Sequence, residues 1–260
     1  MKLFSYISIA FLISSFQLSY SQDFVIKSYE KINIDHLGNI YKTNKDNFSL
    51  ISGSKTKEYQ NNFLGNIYSV DISNPLRILI FHKDANQIIF LNNELSIIGD
   101  AINLDDIGIP DISATCSSQI NGFWIYNNLY NRIEFFDDKL NKIHSSIDLS
   151  EYIGTSENIQ NLKMNNGKLY LQVSDIGILI FDMFGTYIKT IPLKEINSTE
   201  IFSKSILYTK KNKVLSYSFD TLESSIIYED NKPIRFAKIV GDQLYTLSGG
   251  ILSTHSLTNN

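Results

Sequence analysis

Gln87-Ile88-Ile89-Phe90-Leu91-Asn92-Asn93-Glu94-Leu95 and Arg132-Ile133-Glu134-Phe135-Phe136-Asp137-Asp138-Lys139-Leu140 are two copies of one pattern, 45 residues apart. They stay in step without a gap as far as Ile102-Asn103-Leu104 and Ile147-Asp148-Leu149. A third copy is Ile178-Leu179-Ile180-Phe181-Asp182-Met183-Phe184-Gly185, which runs on to Ile191-Pro192-Leu193. A shorter fourth is Leu215-Ser216-Tyr217-Ser218-Phe219-Asp220-Thr221-Leu222. Each copy is a β-rich run, an Asp or Asn turn, and a second β-rich run. That is a hairpin, because branched and aromatic residues suit strands while Asp and Asn suit turns.

One more strand precedes each hairpin at a turn-like distance: Ile78 to His82, Phe123 to Asn127, Lys168 to Val173, Ser205 to Thr209. Another lies upstream of that, behind a tight turn such as Asn165-Asn166-Gly167 or Ser73-Asn74-Pro75. The unit is four strands in about 37 to 45 residues, the period of a β-propeller blade. Second strands recur near Asn39, Ile78, Phe123, Lys168, Ser205 and Gln243, and first strands begin near Glu30, Gly65, Asp111, Asn158, Ile196 and Pro233. The expected fold is all-β, a single β-propeller of about six four-stranded blades. The last blade stops after a third strand, Ile251 to Ser256, while Phe24 to Ser28 is a spare strand ahead of the first blade. An N-terminal strand placed fourth in the last blade closes the ring and removes an open edge prone to aggregation. No segment sustains the i, i+3, i+4 pattern of a helical solenoid. A two-sheet sandwich would not produce a gapless repeat, and helical turns are expected only near Leu104 to Ile109 and Asp148 to Gly154.

At Ile180-Phe181-Asp182-Met183-Phe184-Gly185, Ile188 and Ile191-Pro192-Leu193 the sequence resembles a blade of the NHL-type and related six-bladed, TolB-like propellers. Their outer hairpins often carry an apolar pair, Asp, two variable residues and Gly. Phe136-Asp137-Asp138-Lys139-Leu140 and Phe219-Asp220-Thr221-Leu222 keep the Asp and lose the Gly, and Leu91-Asn92-Asn93-Glu94-Leu95 replaces the Asp by Asn. The resemblance implies the architecture of most of the mature chain and little about activity, because a fold alone does not license a function.

The first residues read as an export signal. Lys2 gives a positive start, Leu3 to Leu18 is mostly apolar, and Ser19-Tyr20-Ser21 sets small residues at −3 and −1 for cleavage before Gln22. Residues 1–21 are thus assigned to a signal peptide and 22–260 to the propeller, with an exported product, periplasmic or secreted, and no transmembrane segment after cleavage. No cysteine follows the apolar stretch, which excludes a lipoprotein anchor. Cys116 is the single cysteine, so no internal disulfide forms and the core must hold without one. Of 260 residues, 43% are hydrophobic and 19% charged, enough for a sizeable core; a net charge of −4 with no basic stripe argues against nucleic acid as a partner.

The recurring Asp137, Asp182 and Asp220 fall in turns between third and fourth strands, one per blade and far apart. Each is expected to bond its own backbone in an Asx turn and not to join a carboxylate cluster. The opposite, upper face collects the turns between second and third strands and the connections between blades. Its binding candidates are Asp84, Asn86, Tyr130 and Asp175 in those turns, with Asp111, Asn158 and Arg235 opening first strands and approaching the channel. A divalent ion would need several oxygen or nitrogen ligands converging from Asp111, Asn158, Asp84 and Asp175. His36, His82, His144 and His255 show no metal-ligand spacing, and no phosphate loop, nucleophile elbow or redox Cys pair is present. Trp124 sits in a second strand, where packing between blades is the simplest role.

An exported rigid disc with no legible catalytic set points to a binding or scaffold protein of a bacterial cell envelope, holding a protein partner on its upper face. No cofactor and no metal are assigned. Two other readings stay open: a metal-dependent hydrolase or lactonase at the channel mouth, using Asp111 and Asn158, and a glycan-binding module using surface Tyr and Trp.

Overall fold

The structure, a computed structural model, describes residues 24–27, 30–154 and 158–257. The expected export segment, residues 1–21, and Ser28 of the expected spare strand lie outside the described residues.

Sheet position decides how each strand reads. Phe123–Asn127 and Ile78–His82 are buried along their whole length, so they are near-continuous apolar runs and not alternating ones. Both faces of an inner strand are covered by neighbouring blades. Ile97–Asn103, an outermost strand, is largely exposed.

Blade 1 contains β2 (Lys31–Ile34), β3 (Ile40–Asn44), β4 (Asn47–Ser52) and β5 (Lys55–Gln60); blade 2 contains β6 (Ser69–Asp71), β7 (Ile78–His82), β8 (Gln87–Leu91) and β9 (Ile97–Asn103). Blade 3 is β10 (Ile112–Ser117), β11 (Phe123–Asn127), β12 (Arg132–Phe136) and β13 (Lys142–Ser145). Blade 4 is β14 (Ile159–Asn165), β15 (Lys168–Val173), β16 (Gly177–Asp182) and β17 (Tyr187–Ile191). Blade 5 is β18 (Thr199–Ile201), β19 (Ser205–Lys210), β20 (Lys213–Ser218) and β21 (Ser224–Glu229). Blade 6 takes β22 (Ile234–Val240), β23 (Gln243–Ser248) and β24 (Ile251–Ser256) from the C-terminal end. Its fourth strand is β1 (Phe24–Val25), which pairs Phe24 with Leu252 and Val25 with Ile251. The fold is a six-bladed β-propeller, and the ring closes through the N-terminal strand as the sequence predicts. Helical turns occur at Asp105–Ile107 and at α1 (Ser150–Ile153), the two places where they are expected. Among the described residues no helix is long and apolar enough to cross a membrane.

Six buried apolar clusters fill the six joints between blades. The joint of blades 3 and 4 is the largest and holds Trp124, Tyr126, Phe135, Leu169, Leu171 and Phe181. Trp124 is 1% exposed and tilted against Phe135 at 5.1 Å between ring centres, which is packing and leaves no face for a sugar. Cys116 is buried in the same joint, and burial pushes its thiol well above the ordinary value, with Asp71 acting in the same direction.

The lower turns follow one scheme with one exception. Asn92 Oδ1 accepts from the N–H of Glu94 and Ser96, Asp137 Oδ1 from Lys139 and Asn141, and Asp182 Oδ1 from Phe184 and Thr186, all at 2.8–3.0 Å. In blade 5 the turn is one residue longer, and Ser218 Oγ takes that place, accepting from Asp220 and Thr221 at 3.2 Å. Asp220 is therefore not the residue that caps its turn. At the glycine position of the NHL-type hairpin pattern, Gly185 has φ +85°, and Leu95, Leu140 and Leu222 adopt φ of 57°, 64° and 61°. Two first strands also start later than predicted, at Ser69 and Thr199, because residues 61–68 and 192–198 are spent as connections.

Candidate functional site

First strands run from the upper rim to the lower, so their starts share a face with the turns between second and third strands. Hydrogen bonds tie the two together: Asn128 N–H donates to Asp111 O at 3.1 Å, and Ser174 N–H donates to Asn158 O at 2.9 Å. The turns carrying Asp84, Asn86, Tyr130 and Asp175 and the strand starts at Asp111, Asn158 and Arg235 thus belong to one rim. The side chains do not converge. Asn86 is buried and its amide donates to Asp105 Oδ1 at 2.6 Å and to Ile109 O at 2.7 Å, holding the turn to the next connection. Asp84 packs against Gly65, where an added Cβ would meet its carboxylate at 3.3 Å. Asp84, Asp111 and Asp175 are exposed. Arg235 lines the axial channel and its guanidinium donates to Lys27 O at 3.4 Å. Among the described residues no three His, Cys, Asp or Glu side chains lie close enough together to hold an ion.

Large apolar side chains stand out on this rim. Phe63, in the connection from blade 1 to blade 2, is 98% exposed. Leu129 and Tyr130 in the upper turn of blade 3 are 58% and 51% exposed, and Ile147, between blades 3 and 4, is 57% exposed. The loop that carries Phe63 is anchored by His82, buried between Gly65 O at 3.1 Å and the Tyr59 hydroxyl at 3.3 Å. Burial holds the His82 imidazole below its ordinary pKa, against the opposing pull of the Gly65 and Asn66 backbone and of Asp46 and Asp84. The lower face has its own exposed residues, Leu37, Leu76 and Ile120, in the first turns of blades 1, 2 and 3.

The first strands of all six blades enclose an axial cavity of about 740 Å³. Its wall mixes amide and hydroxyl side chains with apolar and charged ones, and some of the charged groups are set across blade boundaries. Lys163 of β14 donates to Thr199 O in blade 5, Asn165 Nδ2 donates to Ile201 O at 2.5 Å, and Lys238 of β22 pairs with Glu200 of β18 at 2.6 Å. Lys163, Lys238 and Glu200 are not among the candidates that the sequence points to. Their one signal is a charged residue in the first strand of a blade, which carries meaning only after the ring has closed.

No protein-family profile matches the chain, and no curated protein matches it. Solved structures do. A catalytically inactive virginiamycin B lyase from Staphylococcus aureus with quinupristin superposes with a TM-score of 0.61 at 13% identity, over 92% of this chain and 88% of that one. A streptogramin B lyase gives 0.56 at 12% identity, over 90% and 96% of the two chains. The extracellular domain of a putative one-component system from B. thetaiotaomicron gives 0.58 at 15% identity, over 93% of this chain and 34% of that one. At these identities the likeness is one of fold, and the fold it shows is the six-bladed β-propeller.

Proposed function

We propose that this protein is an exported, non-catalytic binding protein of a bacterial cell envelope, and that its upper rim holds a protein partner. The observation that carries the reading is the set of exposed apolar side chains on the upper loops, Phe63 above all. Exposed apolar patches on otherwise well-packed proteins mark interaction sites, and aromatic anchors supply most of the energy at such sites. The N-terminal sequence supports export, and one structure of similar fold is an extracellular domain.

The test is in-cell crosslinking of tagged mature protein, followed by mass spectrometry of what is captured. One dominant envelope partner is expected. It should be lost when Phe63 and Tyr130 are both changed to Ser, and kept when the lower-face residues Leu37, Leu76 and Ile120 are changed to Ser. No partner above background, or loss through the lower-face variant alone, would overturn the reading.

A further inference from the structure

Leu129 and Tyr130, the exposed pair in the upper turn of blade 3, sit between two connections rich in carboxylates. Backbone bonds make the three segments neighbours. Asn128 N–H donates to Asp111 O at 3.1 Å on one side, and Leu149 N–H donates to Asn131 O at 2.8 Å on the other. The connection from blade 2 brings exposed Asp105, Asp106 and Asp111, and the connection to blade 4 brings exposed Ile147, Asp148 and Glu151. Like bonds continue to the upper turns of blades 2 and 4, where Asp84 and Asp175 are exposed: Leu104 N–H donates to Asn86 O at 3.0 Å, and Ser174 N–H to Asn158 O at 2.9 Å.

These charges lack counter-ions. Asp105 accepts from the Asn86 amide and Asp148 from the Ser150 N–H, both neutral donors. None of these carboxylates forms an ion pair among the described residues. The cations of the sector, Lys83 and Arg132, form none either, and Lys83 lies over the Tyr68 ring at 5.0 Å. The rest of the rim differs. Residues 61–68, around Phe63, carry no charged side chain, and over blades 5 and 6 exposed Lys194, Lys211 and Lys232 stand beside Glu195 and Asp230. The acidic belt thus surrounds the part of the rim where Leu129, Tyr130 and Ile147 protrude.

We propose that the partner held on the upper rim presents a basic face with an apolar centre, its Lys or Arg side chains set around the residues that cover Leu129, Tyr130 and Ile147. This inference rests on the upper-rim docking reading and names the chemistry of its partner. Covering the apolar side chains strips water from the carboxylates around them, and a desolvated charge without a partner is costly. Cations on the partner offset that cost and steer its approach. A second copy of this chain, docked through the same face, would set carboxylate against carboxylate. The phosphates of a nucleic acid or an anionic lipid surface would be repelled in the same way.

The experiment is a zero-length crosslink. Tagged mature protein is incubated with an envelope extract and treated with a water-soluble carbodiimide, which joins a carboxylate to a Lys amine only where the two touch. Mass spectrometry then maps the joined peptides. Joins from Asp106, Asp111 or Glu151 to lysines of one partner are expected. Capture should fall about tenfold or more when Asp106, Asp111 and Glu151 are all changed to Lys, and should hold when Lys194 and Lys211 are changed to Glu. All five side chains are exposed, so the melting temperature should change little in either variant. Capture that survives the triple Lys variant but is lost through Phe63→Ser with Tyr130→Ser would overturn this inference and leave the docking reading standing. Joins confined to other carboxylates, or loss through the Lys194 and Lys211 variant alone, would also overturn it, and no partner above background would overturn both readings.

Discussion

The joint between blades 3 and 4 and the two joints flanking blade 6 do the same job with very different means. The first buries fifteen apolar side chains, five of them aromatic or sulfur-bearing: Trp124, Tyr126, Phe135, Phe181 and Cys116. The joint of blades 5 and 6 buries five, Leu207, Val214, Ile234, Ala237 and Leu244, and the closing joint of blades 6 and 1 buries six, all Ile or Leu. Blade 6 is also the one whose outermost strand is a two-residue pairing contributed from the other end of the chain. Stability in such a ring is local, and regions with few buried apolar contacts open first. The ring is therefore held from its middle and fastened at its weakest point.

The largest expected effect is at the strong joint. Trp124→Ala should cost about 3–5 kcal/mol, the range for emptying a buried aromatic site, measured by urea unfolding. A loss below about 1 kcal/mol would mean that the strong joint is not the main support. Ile26→Ala, at the closure, should cost at the low end of about 2–5 kcal/mol, because β1 lies at an edge and can relax. Its sharper signature is hydrogen exchange: amides of β24 and β23 should exchange faster while those of β15 keep their protection. Uniform loss of protection would erase the distinction between the two regions.

The joint of blades 1 and 2 is of a third kind, because a histidine serves it. The His82 pKa in the folded protein lies below its unfolded value, so neutral imidazole is the form that folding favours. The stability it brings is complete above an unfolded pKa of about 6.5 and disappears as pH falls through the lower folded value. Melting temperature should therefore drop on that acid limb, and His82→Gln, which can still bond Gly65 O and the Tyr59 hydroxyl, should flatten it. The smallest effect is a gain. Leu222 is exposed with φ +61° in the lower turn of blade 5, so Leu222→Gly relieves a left-handed conformation that costs about 1–2 kcal/mol. Glycine's own entropy returns about 0.5–1 kcal/mol of that, for a net rise of up to about 1.5 kcal/mol, seen as a higher melting temperature with the ranking of the joints unchanged.

Much of the architecture could be read from residue order alone, because it rests on local chemistry. Branched and aromatic runs make strands wherever they occur, and Asn92, Asp137 and Asp182 turn the chain by bonding residues two and four positions on. Blade number, the helical turns after β9 and β13, and the spare strand at Phe24–Val25 all follow from counting such units. Residue type misleads where the same residue sits two places out of register. Asp220 looks like Asp182, yet the longer turn passes its role to Ser218, and only the hydrogen bonds reveal the shift.

The functional surfaces belong to the other category. Arg235 opens a first strand and lines the channel wall, and the carbonyls of Asp111 and Asn158, at the same place in their blades, accept from the upper turns. Lys163, Glu200 and Lys238 come from three successive blades, 37 and 38 residues apart, and their proximity exists only after all six sheets have closed into a ring. Hydrophobic period and turn chemistry act over a few residues and are written in the chain. Which charges meet, which go unpaired and which apolar side chains remain outside depend on burial, and burial is a property of the assembled ring.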